Sequence, residues 1–496
     1  MSGIRVFFMS MKKIYDIAGC IIVGAWIVLM TLLVLKQEAA FRPVQLDKQY
    51  IGSSVESRQD WSGIYLKDSK IGYSCSEIKR LEAGYQITED IFMDLTVMDM
   101  PQKIQTRVSA VVDGEMRLQI MSFRLVAGSI SMSATGTVQG KHMRLQIQTG
   151  GKTEWRDIPL KEPPVLANSL RYFVLKQGIK PGMEYSYPFF DPLSFTVRAM
   201  KVQVLDKEPL ELRGKRVDCY KIQTSFQGIT VSSWVNDQGE TLREESPMGL
   251  VMLRESQQQA QEEGWGEKPD ITAATSIKVA KAFSAGQLSY LKLRLKDVSL
   301  AGFELNSGRQ HLEGDMLEIR REKLPPDSAV TTAGAEPELR PFLQPSPFIQ
   351  SDDPGIVECA RQNSGKGKSA VSVVRALNSW VYANIEKKPT LSVPSATAVL
   401  ATKQGDCNEH AVLLTALCRA AGVPARVAAG LVHLNGSFFY HAWVEVFLGA
   451  WVTVDPALNQ FPADVSHIKF VDGDMENQVS ILRLVGKLKI DVLEFL

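Results

Sequence analysis

Between residues 60 and 255, polar and apolar positions alternate in short runs broken by turn dipeptides. TRVSAVVDGEMRLQIMSFRL, SISMSATGTVQGKHMRLQIQT and CYKIQTSFQGITVSSWV are examples. A period of two is that of a strand with one buried face. Asp-Gly, Gln-Gly and Pro-Gly separate the runs, and glycine supplies the positive φ that tight hairpins need. These runs predict a large antiparallel sheet, strongly curved or partly closed. LRYFVLKQGIKPGMEY is expected to carry a short helix ending near Gly178. Strand character returns in LSYLKLRLKDVSLAGFEL and GDMLEIRREKLP, a small second β module. From about residue 350 the period changes. Val371, Val374, Leu377, Trp380 and Val381 fall on one face of an amphipathic helix. A further helix over 407–421 is followed by three strands, ARVAAGLVHL and the two halves of SFFYHAWVEVFLGAWVTVDPAL.

The N-terminus breaks this pattern. Residues 17–35 contain no charge, and nineteen residues of helix span about 28 Å, close to a bilayer's hydrocarbon core. Arg5, Lys12 and Lys13 precede the run, which predicts a cytoplasmic N-terminus and an exported bulk. A cleaved signal peptide is the competing reading, but Glu38-Ala39-Ala40 makes a poor cleavage site. The expected plan is α+β. It comprises a cytoplasmic N-terminus (1–13), a transmembrane helix (14–36) and an antiparallel β-rich domain (41–255). A linker and small β module (256–324), a Pro-rich linker (325–349) and a C-terminal α+β domain (350–496) follow. The expected location is the cell inner membrane, single-pass, with the bulk of the chain periplasmic.

Composition narrows the function classes. Hydrophobic residues make up 45%, charged residues 22%, and the net charge is +1. No global field or long basic run points to nucleic acid. Six cysteines are scattered without a CxxC pair, which excludes a disulfide scaffold. Cys75 and Cys219 remain a candidate pair within the β domain.

The candidate chemistry lies in KQGDCNEHAVLLTALCRAAGVPARV. Ala411, Leu414, Cys418 and Ala421 share a helix face with Cys407, so that face is expected to be buried. Asp406 is the expected N-cap, and Gly422 with Pro424 the stop. Cys407 then sits in the first turn, where unpaired N–H groups and the helix dipole favour a thiolate. Downstream, His441 lies near the start of one strand and Asp455 near the end of the next. Nucleophile, base and orienting carboxylate form a recognisable set. Register imposes a condition. A two-residue hairpin loop places Asp455 on the face opposite His441; a three-residue loop over 448–450 places both on one face. Asn408, Glu409 and His410 read as exposed first-turn residues, and Trp443 and Trp451 as packing residues. A structural zinc site using Cys407, Cys418 and His410 is a minor alternative.

The blocks Gly405-Asp406-Cys407, Arg419-Ala420-Ala421-Gly422-Val423-Pro424-Ala425-Arg426, His441-Ala442-Trp443 and Val454-Asp455-Pro456 resemble the core of the transglutaminase-like superfamily. The resemblance covers roughly residues 350–480 and implies a papain-like cysteine fold. It implies Cys407 as nucleophile, His441 as base and Asp455 as orienter, with no cofactor and no metal. The implied activity is acyl transfer or hydrolysis on protein or peptide amides. The β-rich region carries no motif. It keeps open a second class, a catalytically idle scaffold whose β region binds a partner or lipid.

Overall fold

The computed structural model describes residues 57–496, apart from 128–129, 150–151, 193, 247–248, 263–264, 267, 282, 327–336, 366–368, 390–394 and 474. The expected transmembrane segment over 14–36 lies outside the described residues. Among the described residues, no helix is long and apolar enough to cross a membrane. The α+β expectation is corrected: the protein is mostly β, with 50% strand and 20% helix. The reason is the length of the strands, up to 17 residues in Thr196–Leu212. The helices are short, and Ala370–Asn384 has 15 residues.

One fourteen-stranded sheet dominates. It consists of two meanders that run outward from the pair formed by Arg58–Leu66 and Leu250–Glu255, to edges at Lys152–Pro159 and Glu184–Asp191. The helix Ala167–Gln177 lies on the path between those edges and stops at Gly178, whose φ is 84°. Tyr172 and Val174 of this helix share an apolar cluster with Ile147 near one edge, Ile87 in mid-sheet and Tyr187 at the other edge. The sheet therefore curves around the helix. Cys75 and Cys219 are both buried and free, so the candidate disulfide is absent.

A four-stranded sheet runs in the order Gln310–Glu313, Met316–Arg320, Tyr290–Lys296, Lys489–Phe495. The C-terminal strand thus pairs with one that begins at Tyr290, with Leu293 opposite Val492.

The site-bearing part contains helices α1 (Pro354–Asn363), α2 (Ala370–Asn384), α3 (Ala396–Thr402) and α4 (Cys407–Ala420). Strands β1 (Ala425–Leu434), β2 (Ser437–Phe447), β3 (Trp451–Val454) and β4 (Ile468–Asp472) follow. β2 lies between β1 and the short strand Ile277–Lys278, with β3 also paired to β2, and β4 pairs with β1. Val374 and Leu377 of α2, Leu413, Leu414 and Leu417 of α4, and Val427 and Val444 of the sheet form one buried core. Full burial of such a side chain contributes about 1.5–3 kcal/mol, so α4 is held as the central rod of this unit.

Candidate active site

The start of α4 is tightly specified. Asp406 accepts a hydrogen bond from the Asn408 N–H at 2.8 Å. The Glu409 carboxylate accepts one from the Asp406 N–H at 3.0 Å. With the Glu409 N–H also donating to the Asp406 side chain, the start of the helix is a reciprocal capping box. Only glycine fits at position 405, because a Cβ there would lie 2.2 Å from Cβ of Glu409. The helix ends with the Gly422 N–H donating to Arg419 and the Val423 N–H to Cys418, at 3.0 and 2.9 Å. Gly422 takes the left-handed conformation such a stop requires, with φ 80°.

Burial runs right round α4 from Glu409 to Cys418. Glu409 and His410, expected on the surface, are therefore inside. The physical cause is that α1, α2, α3, β1 and β2 all pack against this helix. The His410 Nδ1 lies 2.6 Å from the Asp406 carbonyl oxygen, and burial lowers the ring's pKa. Cys407 and Cys418 stand eleven residues apart on the helix, about 16 Å along its axis, so the alternative zinc set is not assembled.

The β2–β3 hairpin takes the three-residue loop. Phe447 pairs with Trp451 and Val444 with Val454, leaving residues 448–450 between them. Asp455, just past β3, then faces the same way as His441. The His441 Nε2 lies 2.8 Å from Asp455 Oδ2, which leaves Nδ1 as the ring nitrogen for the thiol. Gly430 stands opposite His441 across β1 and β2. A Cβ there would lie 1.9 Å from the Ile468 carbonyl oxygen, so glycine lets β4 approach. Trp443 is fully buried and stacks near His441, with ring centroids 6.2 Å apart and planes at 25°.

Asp455 is fully buried and has four neighbours. Its Oδ1 accepts hydrogen bonds from the N–H groups of Ala457 (2.7 Å) and Leu458 (3.0 Å). Its Oδ2 faces both His441 and the Nε2 of His467, the latter at 2.9 Å. Burial acts to raise the Asp455 pKa, but His441 and His467 outweigh it and hold the carboxyl well below its usual range.

His467 was not among the sequence candidates. Its Nδ1 lies 3.2 Å from Asp464 Oδ1. A carboxylate at each ring nitrogen calls for a proton on both, since a neutral imidazole has one donor. Burial lowers its pKa, yet Asp455 and Asp464 together raise it. The available signal is Asp464-Val465-Ser466-His467, where Asp464 also accepts from the Ser466 N–H and hydroxyl at 2.9 and 2.6 Å. Arg309, from the small β module, fixes this loop. It donates to the carbonyls of Ala463 (2.7 Å), Asp464 (2.7 Å) and His467 (3.0 Å). Among the described residues, His441, Asp455 and His467 are also the one set whose ligand atoms lie within 4.8 Å of one another. Their contacts of 2.8 and 2.9 Å are those of charge-assisted hydrogen bonds.

Cys407 is partly exposed. The Ala442 N–H, one residue from His441, favours the thiolate. Burial first, and then the carboxylates of Asp406, Glu409 and Asp455, push the thiol well above its ordinary pKa. These effects oppose the thiolate that the helix dipole favours. The capping acids that complete the helix start also stand beside the sulfur, and burial together with Glu409 raises the pKa of Asp406 itself.

Residues 358–456 match the transglutaminase-like superfamily. The matched stretch holds Cys407, His441 and Asp455 and ends before His467. Among solved structures, the chain is similar to a candidate cysteine protease from Cytophaga hutchinsonii, with 20% identity and a TM-score of 0.28, covering 42% of this chain and 86% of that one. A β-barrel-like protein of a domain of unknown function from Brucella abortus has 10% identity and a TM-score of 0.32, covering 41% and 98%. A candidate protease from Parabacteroides distasonis has 10% identity and a TM-score of 0.19, covering 68% of both chains. No curated protein matches the chain at a significant level.

Proposed function

We propose that the transglutaminase-like segment carries a thiol-dependent acyl-transfer activity on protein or peptide amides. Cys407 is the nucleophile, His441 the base and Asp455 the group that orients it. The observation that carries this reading is the shared hairpin. The Ala442 N–H favours the charged form of the Cys407 sulfur, and the neighbouring His441 has its Nε2 2.8 Å from Asp455 Oδ2. His441 Nδ1 takes the thiol proton as sulfur attacks the amide carbonyl. The Cys407 N–H is the natural donor to the developing oxyanion. The C–N bond then breaks, the departing amine takes the proton from His441, and a thioester remains. Water or an amine attacks the thioester, His441 again accepts a proton, and the Cys407 thiol is restored as the leaving group. The uncharged run over 17–35, preceded by Arg5, Lys12 and Lys13, supports placing this chemistry outside the cytoplasm.

A catalytically idle scaffold is the second reading. It is favoured by the burial and carboxylates that raise the Cys407 pKa. Alkylation by an amide-mimicking electrophilic peptide library separates the two. The active reading expects labelling that Cys407→Ala abolishes and that His441→Ala slows about 10²–10⁴-fold, the usual contribution of a general base. Labelling that does not depend on Cys407, together with no turnover of amide substrates, would falsify it.

A further inference from the structure

The helix inside the curved sheet leaves a two-part cavity remote in sequence from the thiol site. Its polar part, ≈ 180 Å³, is lined by Asp60, Glu89, Asn168, Arg171 and Glu244 among others. Its apolar part, ≈ 100 Å³, shares Arg171 and Glu244 and continues to Val174, Val202 and Ile222. Asn168 is only 9% exposed. Both its Oδ1 and its Nδ2 are buried without a hydrogen-bond partner. Each such group costs about 1–3 kcal/mol when left unpaired, so the amide calls for a ligand that both donates and accepts.

The charges around it are divided. Asp60 is matched by Arg171 at 2.5 Å, Arg254 at 2.7 Å and Arg58 at 3.1 Å. Arg171 thus brings a cation to the cavity wall while anchored through one nitrogen to Asp60 and Tyr172. Glu89 and Glu244 make no ion pair among the described residues. Glu244 accepts a hydrogen bond from the Ser233 hydroxyl at 2.9 Å. Burial and the Glu244 charge push Glu89 up to about 7 against the lowering pull of Arg171, and burial raises Glu244 as well. These acids do not converge as a three-ligand metal set.

We propose that this cavity binds a small zwitterion with an apolar side chain, an α-amino acid or dipeptide. Its carboxylate meets Arg171, its ammonium meets Glu89 and Glu244, and Asn168 bonds to both ends. The side chain enters the recess beside Val174, Val202 and Ile222. Neither part reaches the roughly 300–1,000 Å³ of drug-sized sites, which limits the ligand to this scale. The inference is independent of the reading of the thiol site.

Calorimetric titration of the full-length protein tests it with L-leucine and L-leucyl-L-leucine. 4-Methylpentanoate lacks the ammonium and isopentylamine lacks the carboxylate. One zwitterion or both is expected to bind one-to-one, and each analogue at least tenfold more weakly. Asn168→Leu and Glu244→Gln are each expected to weaken binding at least tenfold while keeping a cooperative thermal unfolding transition. The proposal is overturned if neither zwitterion gives heat, if folded Asn168→Leu and Glu244→Gln bind like wild type, or if isopentylamine binds as tightly as leucine.

Discussion

His467 is the residue whose charge state can be read most directly from stability. In His467→Gln, the amide can still donate one hydrogen bond to Asp455 but carries no charge. The native ring meets Asp455 at 2.9 Å and Asp464 at 3.2 Å. Removing one member of a buried charged set costs about 3–5 kcal/mol, and the retained neutral hydrogen bond restores about 1 kcal/mol. The expected loss at pH 6 is therefore about 2–4 kcal/mol. The pH dependence follows from the raised folded pKa of His467. Its stabilisation is fully present below the unfolded value of 6.5 and is lost as pH rises through the folded value. The depressed pKa values of Asp455 and Asp464 keep both carboxylates ionised throughout that range. The gap between wild type and variant must then be largest near pH 6 and shrink toward alkaline pH. Urea unfolding followed by tryptophan fluorescence, with m-values compared at both ends, measures this. An equal gap at acid and alkaline pH would mean that His467 is neutral and that the charge argument is wrong.

Glu409→Gln removes one of the carboxylates that raise the Cys407 pKa. The pH profile of iodoacetamide alkylation at Cys407 should move to lower pH, and an unchanged or higher midpoint refutes the assignment. Arg309→Ala leaves the carbonyls of Ala463, Asp464 and His467 without their donor. It should cost about 3 kcal/mol or more in chemical denaturation; a loss under about 1 kcal/mol would show that the small β module does not hold the loop. Gly430→Ala forces a Cβ against the Ile468 carbonyl oxygen and should cost at least about 3 kcal/mol or abolish soluble protein. Gly286→Ala is its control, because a Cβ there meets nothing within 4 Å; equal stability of the two variants would contradict the close approach of β4 to β1.

Much of the hairpin was legible because strand alternation is strict. Once Phe447 and Trp451 are paired, the facing of His441 and Asp455 follows from counting. The helix start was legible from Gly405-Asp406 and the stop from Gly422. What surrounds α4 was not. Asn408-Glu409-His410 looks like a solvated first turn, and only the convergence of α1, α2, α3 and two strands buries it. The dipole argument for a thiolate was incomplete for the same reason, since it counted the helix and not the carboxylates packed around it. His467 was invisible because its position depends on Arg309, 158 residues earlier in the chain. The small β module likewise could not be closed from sequence, because its sheet is completed by Lys489–Phe495. The balance of helix and strand was misjudged because the strands of the large sheet run longer than their turn signals implied.

The crowding of Asp455 has a consequence for how a proton can travel. Two backbone amides and two imidazoles occupy every lone-pair direction that its two oxygens offer. Protonating it would sever one of these bonds in a site sealed from water, so the group works as a fixed negative anchor. On the proposed mechanism, a relay that parks a hydrogen on this acid is closed off, and the imidazole of residue 441 carries the whole exchange between sulfur and amine.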